Sequence, residues 1–118
     1  MKKWRPKKRS TELSTHFDQV IALGPPPGMQ GAGRLTIHHC HGGSMKEYGF
    51  HRAMGKKPSD WLVIALPEDL HTGSQGIDSG MGVITWEAKY GGQHQALEWV
   101  CEQLGFDVFR KATLEYCS

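Results

Sequence analysis

Arg34-Leu35-Thr36-Ile37-His38-His39-Cys40-His41-Gly42-Gly43 reads as a short strand that runs straight into a glycine turn. Side chains alternate along a strand, so His38 and His39 point to opposite faces of any sheet the segment joins. One of them can bind a metal ion while its neighbour stays free to move protons, although alternation alone does not say which. The continuous apolar run Trp61-Leu62-Val63-Ile64-Ala65-Leu66 has strand length and suits an antiparallel partner for residues 34–40. Pro67 then fits the first position of a helix, with Glu68 and Asp69 in its first turn. That helix carries a third histidine, His71, one turn in, and Thr72-Gly73 keeps it short. The expected class is α+β.

Working outward, Thr11 to Leu23 places Leu13, Phe17, Val20, Ile21 and Leu23 at helical spacing, with Ser10 or Thr11 as N-cap. Gly24 and Pro25-Pro26-Pro27-Gly28 end that helix, and residues 24–33 read as a loop. Residues 41–60 make a long polar excursion, of a length that is usually functional in a small domain. After a loop over 72–82, Val83 to Tyr90 reads as a helix that Gly91-Gly92 breaks. Gln93 to Leu104 is the clearest helix, with Leu97, Val100, Cys101 and Leu104 on one face and Gly105 at its end. Residues 106–118 receive no role beyond packing of Phe106, Val108 and Phe109 against the domain. His16 and His94 fall on helices and are expected at the surface.

The chain of 118 residues supports one domain with a modest core. Its charge is uneven: Lys2, Lys3, Arg5, Lys7, Lys8 and Arg9 put six of the 14 basic residues into the first nine positions, which contain no acid. Residues 1–10 are therefore expected to form a flexible basic arm that binds polyanions through counterion release, or serves as a solubilising tail. Residues 11–118 form the single folded domain. Three cysteines without a CxxC spacing argue against a disulfide framework and a cysteine-rich zinc site. No apolar stretch approaches the roughly 18 residues of a membrane span, and the basic start lacks the apolar segment of a signal peptide. A cytoplasmic location is expected, in whatever cell hosts the chain.

Strand, long loop, strand and helix, with histidines at the end of the first strand and in the helix, is the order of a ββα-metal finger. A divalent ion held there would stabilise charge that develops on a phosphodiester, and a neutral histidine opposite it would take a proton from the attacking water. Asp60, at the end of the excursion, is a further ligand candidate or fixes the turn through backbone hydrogen bonds. His51 is an additional candidate ligand, and His41 is expected to face solvent or DNA.

Leu35 to Gly43, then Gly55-Lys56-Lys57-Pro58-Ser59-Asp60, then Val63-Ile64-Ala65-Leu66 and His71, resemble the HNH endonucleases of phages and prophages. Among these the chain looks most like the RecA-dependent nuclease (recombination enhancement function) family. Thr85-Trp86-Glu87-Ala88-Lys89-Tyr90-Gly91 and the helix after it are similar to that family's C-terminal part, so the resemblance spans about residues 14–105. It implies His38 and His71 as metal ligands, His39 as general base and Mg²⁺ or Mn²⁺ as cofactor, with Zn²⁺ also admissible. DNA is the implied partner, contacted by the arm and by Lys56 and Lys57, together with a RecA-type recombinase filament. Relatives carry a structural zinc site, but here its positions hold Pro25-Pro26-Pro27-Gly28, Pro67 and Leu70, which cannot bind zinc. The position of the motif's central Asn holds Leu62, which passes the orienting role to Asp60 as a catalytic residue. The expected function is metal-dependent HNH DNA cleavage. The alternatives are a catalytically inactive nucleic-acid-binding phage accessory protein that keeps the scaffold, and a small-molecule hydrolase using the same histidines.

Overall fold

The computed structural model describes residues 10–49, 58–79 and 81–117, with side-chain surroundings given as far as Leu114. Its elements are α1 (Thr11–Leu23), β1 (Leu35–His39), α2 (Gly43–Glu47), β2 (Val63–Pro67), α3 (Glu68–His71), α4 (Val83–Tyr90), α5 (Gln93–Leu104) and α6 (Val108–Cys117). The class is α+β: one two-stranded antiparallel sheet wrapped by helices.

The hairpin pairs Leu35 with Pro67 and His39 with Val63, and Cys40 N–H donates to Leu62 O at 2.8 Å just beyond the ladder. All five residues of β2 are buried, whereas on β1 only His38 is. Helix α1 packs across both strands, and α5 also packs against β2. Covering both faces of β2 explains why its sequence is continuously apolar rather than alternating.

The borders differ from the expected ones by local hydrogen bonding. Trp61 N–H donates to Ser59 Oγ and Leu62 N–H to Ser59 O, so a turn takes these two apolar residues out of the strand. Pro67 closes β2 and caps α3 instead of opening the helix. At the other end of the domain, Ser10 Oγ accepts from Leu13 N–H and caps α1, as its position suggested.

Four expectations are corrected. The excursion after β1 is not all loop: α2 forms in it because Met45, fully buried, anchors the turn to the core. The C-terminal segment has a role, as α6. Asp107 Oδ1 accepts from Phe109 and Arg110 N–H, and Val108 and Ala112 are buried, while Phe106 and Phe109 pack on the core as expected. His16 is not at the surface. It lies on the buried face of α1 with Phe17 and Val20, against the rings of Trp61 and Phe106, and donates from Nε2 to Trp61 O at 3.2 Å. His94 is also covered, between the rings of Tyr48 and Phe109 and 2.8 Å from Glu98 Oε1. Among the described residues no helix is long and apolar enough to cross a membrane.

Candidate metal centre

The centre is assembled around Asp78, in the loop after α3. That loop folds back tightly: Ile77 N–H donates to Leu70 O and Asp78 N–H to His71 O, both at 3.0 Å. Gly73 and Gly76 permit this, because a Cβ on Gly76 would stand 2.6 Å from His71 O and one on Gly73 would stand 2.8 Å from Asp69 Cα. Ser79 Oγ secures the return on Thr72 O and Gly73 O, and the buried Ile77 pins it to the core. Trp86, fully buried in α4, donates its indole N–H to Leu70 O and holds the same corner.

Three imidazoles surround the carboxylate. His71 Nε2 lies 3.0 Å and His38 Nδ1 3.3 Å from Asp78 Oδ2, and His41 Nε2 lies 2.9 Å from Oδ1. The rings of His38 and His71 have centroids 5.0 Å apart. Donor atoms of His38, His41 and Asp78 all fall within 4.8 Å of one another and could hold a metal ion. The expected pair His38 and His71 thus lies around one carboxylate, while the group with donor atoms close enough to share an ion has His41 in place of His71. His41, however, turns inward to Asp78 rather than outward, because Gly42 and Gly43 bend the chain immediately after it.

The outer hydrogen bonds of two of these rings fix which nitrogen carries the proton. Gln93 Oε1 accepts from His41 N–H at 3.1 Å, and Gln93 Nε2 donates to His41 O at 2.8 Å, so the amide has one orientation. Its oxygen then accepts from His38 Nε2 at 2.9 Å, which leaves Nδ1 with a lone pair facing Asp78. Thr36 Oγ1 gives its one proton to Leu66 O at 2.9 Å and accepts from His71 Nδ1 at 2.8 Å, leaving His71 Nε2 with a lone pair. Two nitrogen lone pairs therefore converge on one carboxylate oxygen. Acceptors that meet in this way need a positive charge between them, a proton or a metal ion. Burial, and then the neighbouring His38, lower the pKa of His71 and disfavour the extra proton there, although Asp78 opposes this. Partial burial works against ionisation of Asp78, but the His38 and His41 imidazoles beside it outweigh burial and hold the carboxyl far below the usual range. Imidazoles whose outer N–H is held by an oxygen are the usual support of a protein metal site.

Glu87 braces the frame. Its carboxylate accepts from Ser44 N–H at 2.9 Å, Ser44 Oγ at 2.5 Å and Gln93 N–H at 2.7 Å, tying the starts of α2 and α5 to α4.

His39 lies on the other face of β1. Its Nε2 is 2.8 Å from Asp60 Oδ1, and its ring meets the ring of Phe17 from α1 edge to face at 6.0 Å. Asp60 therefore touches a histidine and stands apart from the cluster around Asp78. Among the expected site residues, His51, Lys56, Lys57, Lys2, Lys3, Lys7, Lys8, Arg5 and Arg9 lie outside the described residues.

Sequence reasoning missed Asp78, Gln93, Glu87 and the inward turn of His41. The spacing Gly73-x-x-Gly76-Ile77 was the one local signal of a loop folded back on the helix. Compared with models of protein families, curated proteins and solved structures, the chain matches none.

Proposed function

We propose that this protein is a metal-dependent DNA endonuclease of the HNH type. The observation that carries the reading is the convergence of His38 Nδ1 and His71 Nε2, with their protons turned outward, on Asp78. The strands β1 and β2, joined by a segment that contains α2 and followed by α3, with these two histidines on the first strand and the last helix, support a ββα-metal finger. His38, His41 and Asp78 would hold the ion, with His71 as a fourth donor. Such an ion supplies Lewis-acid stabilisation of the charge that develops on the scissile phosphate and the leaving oxygen. Three imidazoles beside one carboxylate suit Zn²⁺ or Mn²⁺ better than Mg²⁺.

His39 is the general base in this reading. Asp60 accepts the Nε2 proton and so leaves Nδ1 as the nitrogen that takes a proton from water. The basic arm, Lys56 and Lys57 would neutralise phosphates. A RecA-type recombinase filament as a partner rests on the sequence resemblance.

The test is incubation of supercoiled plasmid and single-stranded DNA with Mn²⁺, Mg²⁺ or Zn²⁺, with and without recombinase filaments. Metal-dependent cleavage that disappears in His38→Ala and His71→Ala supports the reading. Cleavage that survives both substitutions would sink it. One observation favours the second reading, an inactive nucleic-acid-binding accessory protein: His39 and Asp60 lie on the α1 face of β1, opposite the cluster. Metal and DNA binding without cleavage under any of these conditions would select it.

A further inference from the structure

The ring stack at the start of α5 has no part in the chemistry above. His94 follows Gln93, the residue that fixes the His38 ring, and its backbone N–H donates to Ser44 Oγ at 3.1 Å. On one side its ring lies against Phe109 of α6, with centroids 4.5 Å apart and planes at 23°. On the other it carries Tyr48, with centroids 3.8 Å apart and planes at 15°. Tyr48 is the outermost of these three nearly parallel rings and is 61% exposed, which leaves its outer face to solvent. The residues around it in sequence, Lys46, Glu47 and Gly49, are exposed and polar or small.

We infer that Tyr48 is a stacking platform for one unpaired base of a DNA strand bound across the metal centre. The inference rests on the nuclease reading for its substrate class and adds a substrate-positioning residue to it. Among the described residues, the sequence neighbours of this flat ring are polar or small and add none of the contiguous apolar area that a protein partner needs. It matches the sequence-tolerant contact that every nucleobase can make with its π-face. The rings beneath it hold the plane in place, so little side-chain freedom is lost when a base joins the stack. Lys46, in the last turn of the short helix that Tyr48 follows, supplies positive charge for the adjoining phosphate. Because Gln93 and His94 are consecutive, a base on Tyr48 would lie a short span of strand from His38.

The experiment uses the full chain in EDTA, where cleavage is suppressed, and single-stranded oligodeoxynucleotides carrying 2-aminopurine at each position in turn. Wild type should quench the fluorescence most strongly at one position. Tyr48→Ala should abolish that maximum and weaken binding about 5- to 100-fold, the range of a single base–aromatic stack. Tyr48→Phe, which keeps the ring, should retain both. Replacing the quenched nucleotide by an abasic one should weaken binding to wild type but not further weaken binding to Tyr48→Ala. Unchanged quenching and affinity in Tyr48→Ala would overturn the inference, as would an equal loss in Tyr48→Phe. Plasmid cleavage with metal is scored separately. Stacking without cleavage removes the nuclease reading alone, and cleavage without a Tyr48-dependent quench removes the platform alone.

Discussion

The two faces of β1 treat adjacent histidines in opposite ways. On one face His38 is fully buried, its ring nitrogens meet Gln93 and Asp78, and the imidazoles of His41 and His71 lie beside it. On the other, His39 stays about one-third exposed, with a single carboxylate on one nitrogen and the Phe17 ring beside it. A partly buried cluster in which two of the three rings have their outer N–H held is suited to hold an ion. A half-exposed ring tethered at one nitrogen can exchange a proton with water. In the proposed nuclease, alternation along one strand would separate ion binding from proton transfer.

The sharpest way to break this division is His39→Ala. In the proposed nuclease it should lower the cleavage rate by roughly 10²–10⁴-fold, the usual contribution of a general base. Calorimetric metal affinity should stay within about twofold, since imidazole deletion on the α1 face removes no ligand. Asp60→Asn should move cleavage in the same direction and less far. A large loss of metal affinity in His39→Ala would mean that the two faces share one site.

Asp78→Asn tests the opposite face. It keeps the size of the side chain and removes the charge that three imidazoles surround. Metal affinity should fall about 100-fold or more, at least the loss typical of an outer-shell partner. Equal affinity would place the ion elsewhere. Gln93→Leu is the finer probe of the same face, because it removes the acceptor that keeps the His38 proton away from Asp78. A fall of about 10- to 100-fold in metal affinity is expected, with the His38 side-chain proton visible at Nδ1 by nitrogen-15 NMR. Persistence of the proton at Nε2 would contradict the tautomer assignment.

How legible each face was follows from the range of the interactions that build it. The hairpin, α3 and the opposed pair His38 and His39 depend on alternation and on apolar runs a few residues long, so they could be read directly. Asp78 could not, because its place depends on backbone contacts at Gly73 and Gly76 and on burial of Ile77 in the core. His41 escaped because alternation stops where the strand ends, and Gly42 and Gly43 set its direction by backbone geometry. Gln93 looked like an ordinary first residue of a helix, and only the tertiary approach of β1 gives its amide a purpose. The excursion hid α2 because its anchor is a single residue, Met45.

His16 gives the smallest effect and separates burial from function on the α1 face. Its spacing from Val20 placed it on the buried side of α1, and the residue type argued for the surface; packing against Trp61 and Phe106 decided between them. One nitrogen donates to Trp61 O, while Nδ1 is buried with no hydrogen-bond partner among the described residues. Burial lowers the pKa of this ring, and the bond to Trp61 only partly offsets it. The unfolded chain therefore binds the proton more readily than the folded one. The stability tied to the neutral ring is fully present above the ordinary histidine value of about 6.5 and is lost as pH falls from there toward the lowered folded value. Urea denaturation of wild type and His16→Leu between pH 7.5 and pH 5 measures it. Wild type should lose stability on acidification, and the substitution should flatten that slope without altering metal affinity or cleavage. An unchanged slope would assign the acid sensitivity to other groups. A loss of metal affinity in His16→Leu would instead couple the α1 face to the centre on the far side of β1.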